Sequence, residues 1–260
     1  MNVKFHKYQG AGNDFIVLNN RYNTYSALTT AQIQWLCDRH FGIGADGLML
    51  LESLQGFDFK MVYFNSDGRQ STMCGNGGRC IIRFANDQKI VGEHTQFLAV
   101  DGPHDGVVNN NGTISLKMID VLGVEQVGAD YVLQTGSPHY VVFVDNADAI
   151  SIVEEARKIR YNERFKSEGI NVNFVQVLND NEIYVRTYER GVEDETLSCG
   201  TGVVASVLAF IAKKQSSLQE IGVKTKGGNL SVKFTQTETQ FTGVWLTGPA
   251  VKVFEGSVEL

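Results

Sequence analysis

The sequence predicts an α+β protein made of two similar halves, each a mostly antiparallel sheet wrapped around a central helix. Three observations carry that expectation. The 260-residue chain holds 27 glycines against three prolines, and its apolar runs are short and separated by glycine and asparagine clusters, as in a chain of many short strands. The segment from Thr201 to Lys214 is apolar on every face, so a helix there must be enclosed by other elements rather than laid on a surface. Finally, one order of features occurs twice at nearly one interval: 61 positions separate Asn13 from Cys74, and 60 separate His139 from Cys199.

Taken in order, strands are expected at Phe57 to Phe64, Thr113 to Met118, Val172 to Leu178, Glu182 to Tyr188 and Phe241 to Leu246. Asn109-Asn110-Asn111-Gly112, Asn179-Asp180-Asn181 and Gly227-Gly228 supply residues that tolerate the positive φ of tight hairpins. Helices are expected at Thr30 to Asp38, Cys74 to Asn86, Ile150 to Arg160 and Thr201 to Lys214, with Ser, Thr or Asp at or near several starts.

The two copies open on Gly10-Ala11-Gly12-Asn13-Asp14-Phe15-Ile16-Val17 and on Thr135-Gly136-Ser137-Pro138-His139-Tyr140-Val141-Val142. Each begins as a glycine turn feeding a strand, and each then runs strand, polar loop, Cys-Gly-x-Gly, helix. In the first copy Met61-Val62-Tyr63-Phe64-Asn65 leads to Cys74-Gly75-Asn76-Gly77. In the second Val185-Arg186-Thr187-Tyr188-Glu189 leads to Cys199-Gly200-Thr201-Gly202.

Composition narrows the function classes. A hydrophobic content of 43% suits a packed core. Twenty-three basic against 29 acidic residues, with no basic block, argue against nucleic acid or anionic lipid as partner. The longest apolar stretch, Val203 to Ala212, is interrupted by Ser206 and falls well short of the roughly 20 residues of a membrane span. The first residues lack the basic region and apolar run of a secretory signal, so a cytoplasmic protein is expected. The four cysteines, at 37, 74, 80 and 199, do not form the dense framework of a disulfide-stapled domain and are expected to be thiols. Neither C-x-x-C nor H-E-x-x-H occurs, so no metal site is expected.

A Cys-Gly-x-Gly turn at a helix entrance sets a thiol beside backbone N–H groups that have no partner within the helix, at the positive end of the dipole. Both effects favour thiolate, and the same N–H groups can hold a carboxylate or phosphate. One such turn fits a phosphate loop, a nucleophile or a plain helix cap equally well. Two suggest an anion between two helix ends with a thiol on either side. If that anion is an amino acid α-carboxylate, one thiolate can take the α-proton from one face while the other thiol protonates the opposite face, which inverts the centre. The α-carbon is weakly acidic, so several aimed N–H donors, together worth on the order of 10 kcal/mol, have to do what pyridoxal does elsewhere.

At these residues the chain resembles the diaminopimelate epimerase family over essentially its whole length. The matching motifs, in order, are Gly10 to Phe15, Phe64-Asn65-Ser66-Asp67-Gly68, Met73 to Arg79, Arg186 to Val192 and Leu197 to Gly202. The resemblance implies two domains, at 1–119 plus 248–260 and at 120–247, with the active site in the interdomain cleft and the last strand returning to the first domain. It also implies conversion of LL-2,6-diaminopimelate to the meso form for lysine and peptidoglycan precursors, with no cofactor, in a homodimer. By motif position Cys74 and Cys199 are the proton-transferring pair. The turn residues Gly75, Asn76, Gly77, Gly200 and Thr201 hold the reacting carboxylate. Asn13, Asn65, Asn171 and Arg190 bind the ammonium groups and distal carboxylate, and His139 and Glu189 assist deprotonation or orient substrate.

Three departures stand out: Ser137 where many members have Asn, Gly47 where some offer a side-chain amide, and a longer, more acidic loop from Gly191 to Thr196. Cys37 and Cys80, among apolar neighbours in helices, are expected to be inert core residues. On local evidence alone Asn65 reads as a turn former, whereas an active-site role is preferred for His139 over a satisfied core imidazole, and a functional role for Glu189-Arg190, just ahead of Cys199, over a solvated ion pair. Two other functions fit the same turns. A proline or hydroxyproline racemase shares the two-cysteine logic but gives Asn65, Asn171 and Arg190 no distal carboxylate to bind, and a non-catalytic anion-binding protein has no need of thiols.

Overall fold

A computed structural model describes residues 1–238 and 240–260. The first half of the chain forms β1 (Asn2–Gly10), β2 (Asn13–Asn19), α1 (Thr30–Cys37), β3 (Gly47–Glu52), β4 (Phe59–Asn65), β5 (Gln70–Ser71), α2 (Gly75–Asp87), β6 (His94–Ala99), β7 (Gly102–Val108) and β8 (Ile114–Lys117). The second half forms β9 (Glu125–Val127), β10 (Asp130–Gln134), β11 (Pro138–Phe143), α3 (Ile152–Arg160), β12 (Asn171–Asn179), β13 (Glu182–Glu189), β14 (Asp194–Thr196), α4 (Gly200–Lys214), β15 (Glu220–Thr225), β16 (Gly228–Gln236) and β17 (Phe241–Gly248). The last strand, β18 (Val251–Glu259), pairs antiparallel with β1. The chain thus divides into Met1–Leu116 with Pro249–Leu260, and Lys117–Gly248.

Both units carry one topology. In the first, β1 and β2 are antiparallel, β2 and β3 parallel, β3 and β4 antiparallel; β4 then runs parallel to β6, and β6, β7 and β8 follow as antiparallel neighbours. In the second, β10 and β11, β11 and β12, β12 and β13, β13 and β15, and β15 to β17 repeat that series of senses. The short hairpin partner β5 beside β4 has its counterpart in β14 beside β13. Even the outermost pair recurs, β9 lying on β10 as β18 lies on β1. Each sheet is therefore mixed but mostly antiparallel, and the duplication read from the motifs is a duplication of strand order.

The register refines the alignment of the copies. Phe15 pairs with Gly47 and Gly47 with Asn65, while His139 pairs with Asn171. Asn13 therefore corresponds to Ser137 and Phe15 to His139, two residues away from the correspondence that the near-equal spacing suggested. Motif spacing counts residues in loops as well as strands, whereas strand pairing fixes which side chains share a face.

Side-chain alternation sorts each sheet into two faces. Ile16, Leu18, Leu48, Leu50 and Val62 pack with Ile33 and Leu36 of α1 in one core cluster. Val172, Phe174 and Tyr188 pack with Ile152 and Ala156 of α3 in the equivalent one. The residues between them in sequence, Asn13, Phe15, Gly47, Met49, Tyr63 and Asn65 in one unit and His139, Asn171, Asn173, Thr187 and Glu189 in the other, belong to the opposite face, that of α2 or α4. The helix α4 is buried from Val203 to Ile211 without interruption and packs on β10 to β13 and β15 to β17, so the enclosure expected from its apolar circumference is observed. Thr29 closes α1 with a reciprocal Thr29/Gln32 cap. Expected and observed helix ends differ mainly at α3, where a short 3-10 turn at Ala147–Ala149 precedes it and the helix begins only at Ile152.

Candidate active site

Each Cys-Gly-x-Gly motif starts a central helix, with the cysteine as N-cap in extended conformation (Cys74 φ −101°, Cys199 φ −116°). Neither first turn carries an acidic side chain, so the positive helix end is left for an anion from elsewhere. Cys74 and Cys199 are partly exposed, whereas Cys37 and Cys80 are buried. Burial pushes the Cys37 thiol up to about 12 and the Cys80 thiol higher still, which makes both inert.

In the first unit Cys74 Sγ accepts the backbone N–H of Gly77 at 3.2 Å. A Cβ on Gly77 would lie 3.2 Å from that sulfur, tighter than an ordinary contact, so glycine keeps this approach open. The Asn76 amide donates to Asn13 Oδ1, and Asn13 donates in turn to Asp46 Oδ2 at 3.0 Å. Behind them, Arg39 grips Asp14 with two bonds of 3.0 and 2.7 Å, and Lys7 approaches the same carboxylate at 2.8 Å. Burial alone would raise the Asp14 carboxyl, but these two cations outweigh it and hold it at about 2. The Ala11-Gly12 turn, with φ of 54° and 94°, reverses the chain so that Asn13 opens β2 within reach of Asn76.

Asn65 stands apart from that cluster. It ends β4, its side chain is exposed, and its backbone closes the turn through Asn65 N–H to Arg69 and Gly68 N–H to Asn65. Gly47, paired with Asn65, has no room for a side chain: a Cβ would meet Phe64 O at 2.5 Å and the Tyr63 ring at 2.6 Å.

In the second unit the cysteine turn rests on a buried polar network. Cys199 Sγ lies 3.5 Å from Thr201 Oγ1, which lies 2.9 Å from His139 Nε2 and 3.1 Å from Ser137 Oγ. Asn173 Nδ2 donates to the Tyr140 carbonyl and to His139 Nδ1, each at 3.1 Å, while its Oδ1 accepts the Thr187 hydroxyl at 2.9 Å. A carbonyl only accepts, so the Asn173 amide orientation is fixed, His139 Nδ1 must accept, and the ring proton sits on Nε2. Complete burial depresses the imidazole to about 3, so it is neutral. Ser137 is held inward by His139 at 2.9 Å and by the amide of Asn171 at 3.2 Å. The structure thus gathers Cys199, Thr201, His139, Ser137 and Asn171 around one turn.

Arg190 is exposed, with its backbone N–H on Asn171 Oδ1 at 2.8 Å and its guanidinium on the Glu168 carbonyl at 2.9 Å. Glu189, half-buried, shares the α4 face with Asn171. The acidic loop after it is ordered by Glu193, which takes bonds from Arg160 (3.1 Å), Tyr161 and Tyr188 (2.8 Å each) and the Gly191 N–H (3.2 Å). Asp194–Thr196 then forms β14, and Glu195 engages Arg186 through two bonds.

Sequence reasoning gave no individual role to Asn173, Thr187, Asp46, Arg79 or Glu193, although Arg79 and Thr187 lie within matched motifs and Glu193 within the acidic loop. The first had a legible signal, because Asn171-Val172-Asn173 places two amides on one face of an otherwise apolar strand. Asp46 and Glu193 are acidic residues in loops with no periodicity to mark them.

The profile of the diaminopimelate epimerase family matches residues 5–115 and 131–253. The chain belongs to the diaminopimelate epimerase family. The family's curated relatives include a diaminopimelate epimerase of Flavobacterium psychrophilum, 50% identical with 98% of this chain and all of the relative covered. Another, from Chlorobaculum tepidum, is 41% identical with 96% and 99% covered. Among solved structures, a PhzF-family phenazine biosynthesis protein of Bacillus anthracis covers both chains fully with a TM-score of 0.76 at 15% identity. A probable proline racemase from Agrobacterium radiobacter has a TM-score of 0.66 at 15% identity, with 99% of this chain and 93% of that one covered. At such identity these two share the fold of the diaminopimelate epimerase family, and their names say nothing further about this chain.

Proposed function

We propose that this chain inverts one α-carbon of LL-2,6-diaminopimelate to give the meso isomer, without a cofactor, using Cys74 and Cys199 as the acid–base pair. The observation that carries this reading is the pairing of two accessible thiols with two unneutralised helix N-termini, in a chain that shares half its residues with a relative named diaminopimelate epimerase. One cysteine, as thiolate, takes the α-proton and becomes the thiol; the developing carbanion is stabilised by N–H groups on its carboxylate; the other cysteine, as thiol, delivers its proton to the opposite face and is left as thiolate. The reverse direction exchanges their roles.

In this reading the backbone N–H groups of Gly75, Asn76, Gly77, Gly200 and Thr201 hold the α-carboxylate. Asn13, Asn65, Asn171 and Arg190 take the rest of the substrate, the guanidinium fork of Arg190 matching the distal carboxylate. His139, neutral and carrying its proton on Nε2, serves as a hydrogen-bond donor through the Thr201 hydroxyl rather than as a base at the sulfur. In the same reading Glu189 orients an ammonium of the substrate. A cytoplasmic location fits a reaction that needs reduced thiols. No helix among the described residues is long and apolar enough to cross a membrane. A homodimer is part of the proposal, with the exposed Val251, Val253 and Phe254 of β18 as apolar surface to cover.

The test is incubation with LL-diaminopimelate in deuterium oxide under reducing conditions with no added cofactor. We expect α-deuterium in a meso product, abolished by alkylating the thiols. Racemisation of proline by reduced protein that leaves this substrate untouched would overturn the assignment.

A further inference from the structure

Arg79 is the largest side chain in the structure with no solvent exposure. It lies on α2 at the fifth position after Cys74, and among the described residues no carboxylate pairs with it. Its acceptors are neutral: Asn76 Oδ1 at 2.7 Å, the Gly75 carbonyl at 3.2 Å and the Pro249 carbonyl at 3.4 Å. A buried guanidinium stays charged, and leaving one without a counter-ion is costly unless something nearby uses the positive potential. The bonds to Gly75 and Asn76 put that charge directly behind the first cysteine turn.

The second copy supplies an internal contrast. Arg79 corresponds to Val204, which is fully buried and apolar. Conversely, where the second unit has the polar His139, Asn173 and Thr187 on its sheet face, the strand register puts Phe15, Met49 and Tyr63 in the first. The second turn is supported by hydrogen bonds from its sheet, and the first by a cation on its helix.

We propose that Arg79 is a positioning residue that acts through the first cysteine turn, holding Cys74 as thiolate and orienting Asn76 toward an anionic substrate group without touching substrate itself. This deepens the proposed reaction and rests on it for the substrate, though not for the state of the thiol. Arginine suits the place because its planar fork reaches three acceptors at once. With Nη2 on Asn76 Oδ1, the Asn76 amide nitrogen is left to donate toward Asn13. The other charged groups facing α2 are already paired. From β1, His6 lies against Glu255 of β18 and Tyr8 bonds Asp87 at the far end of the helix; near β7, His104 sits on Asp101; Lys7 and Asp14, on the α1 face of the sheet, pair with each other. Arg83, further along α2, pairs with Asp87.

The test is pH-resolved alkylation of the intact protein by iodoacetamide, with the Cys74 and Cys199 peptides quantified separately by mass spectrometry. In the unmodified protein Cys74 should reach half-maximal reactivity at a lower pH than Cys199. Arg79→Gln should lower Cys74 alkylation at neutral pH by about tenfold, the effect of one pKa unit, and leave Cys199 unchanged, while Arg79→Lys should restore most of the loss. A folded Arg79→Gln protein with an unmoved Cys74 profile overturns the inference. If that variant does not fold, Cys74 titrating at or above Cys199 in the unmodified protein overturns it equally. Failure of deuterium exchange with the Cys74 shift intact would strike the proposed reaction and leave the role of Arg79 standing.

Discussion

The side-chain carbonyl of Asn171 accepts the backbone N–H of Arg190 at 2.8 Å, while its amide donates to Ser137 and to the Pro138 carbonyl. One buried side chain therefore ties the start of β12, the start of β11 and the end of β13 together. Asn171→Ala should leave that N–H and Ser137 without their partner, costing about 1–3 kcal/mol of stability, and should raise KM for diaminopimelate more than it lowers kcat. Denaturant titration and steady-state kinetics read the two effects, and an unchanged KM would separate Asn171 from the substrate.

His139 makes stability depend on pH. Its imidazole is held at about 3 in the folded protein against 6.5 when exposed, so the unfolded chain binds more protons between those values. The stabilisation from the neutral ring is complete above the unfolded value and is lost as pH falls toward 3. Lowering the pH from about 6.5 to about 5 should remove about 2 kcal/mol, and His139→Gln should flatten that part of the profile. Urea unfolding across this window measures it. Asp14, held at about 2, adds a loss only at more acid pH, below the ordinary carboxylate value of 3.8.

Gly47 is fixed by space. A Cβ there would lie 2.5 Å from a backbone oxygen and 2.6 Å from the Tyr63 ring, so Gly47→Ala should destabilise by about 1–3 kcal/mol, as overpacking does elsewhere. Thermal or denaturant melts test this, and a neutral substitution would show that Tyr63 gives way freely. Gly47→Gln should destabilise for the same reason.

Glu193 orders the acidic loop beside Arg190. Burial opposes its ionised form, but the bonds from Tyr161, Gly191 and Tyr188 and the charge of Arg160 hold its carboxyl at about 2. Glu193→Ala should loosen the turn carrying Arg190 and raise KM by about fivefold, equivalent to about 1 kcal/mol, with a smaller change in kcat. Kinetics at neutral pH decide it.

Much of this was legible in the linear pattern. The apolar circumference of Thr201 to Lys214 is a local property and required enclosure wherever the helix lay. The two Cys-Gly-x-Gly turns announced two helix starts with thiols as caps, and Cys37 and Cys80 read as core from their neighbours alone. Asn65 was drawn toward a ligand role by its motif, yet its backbone also forms the turn that its local sequence suggested.

What the chain determined by itself, then, was the set of elements, their duplication and the chemistry of the two turns, because helix periodicity, turn residues and capping act over a few positions. Only the tertiary structure decided which side chains of different strands share a face, that Asn13 matches Ser137 rather than His139, that Asn173 fixes the His139 proton on Nε2, and that Arg79 is buried without a carboxylate. Those relations join residues up to 170 positions apart, as from Arg79 to Pro249. Strand register and packing set them, and no short-range pattern encodes either.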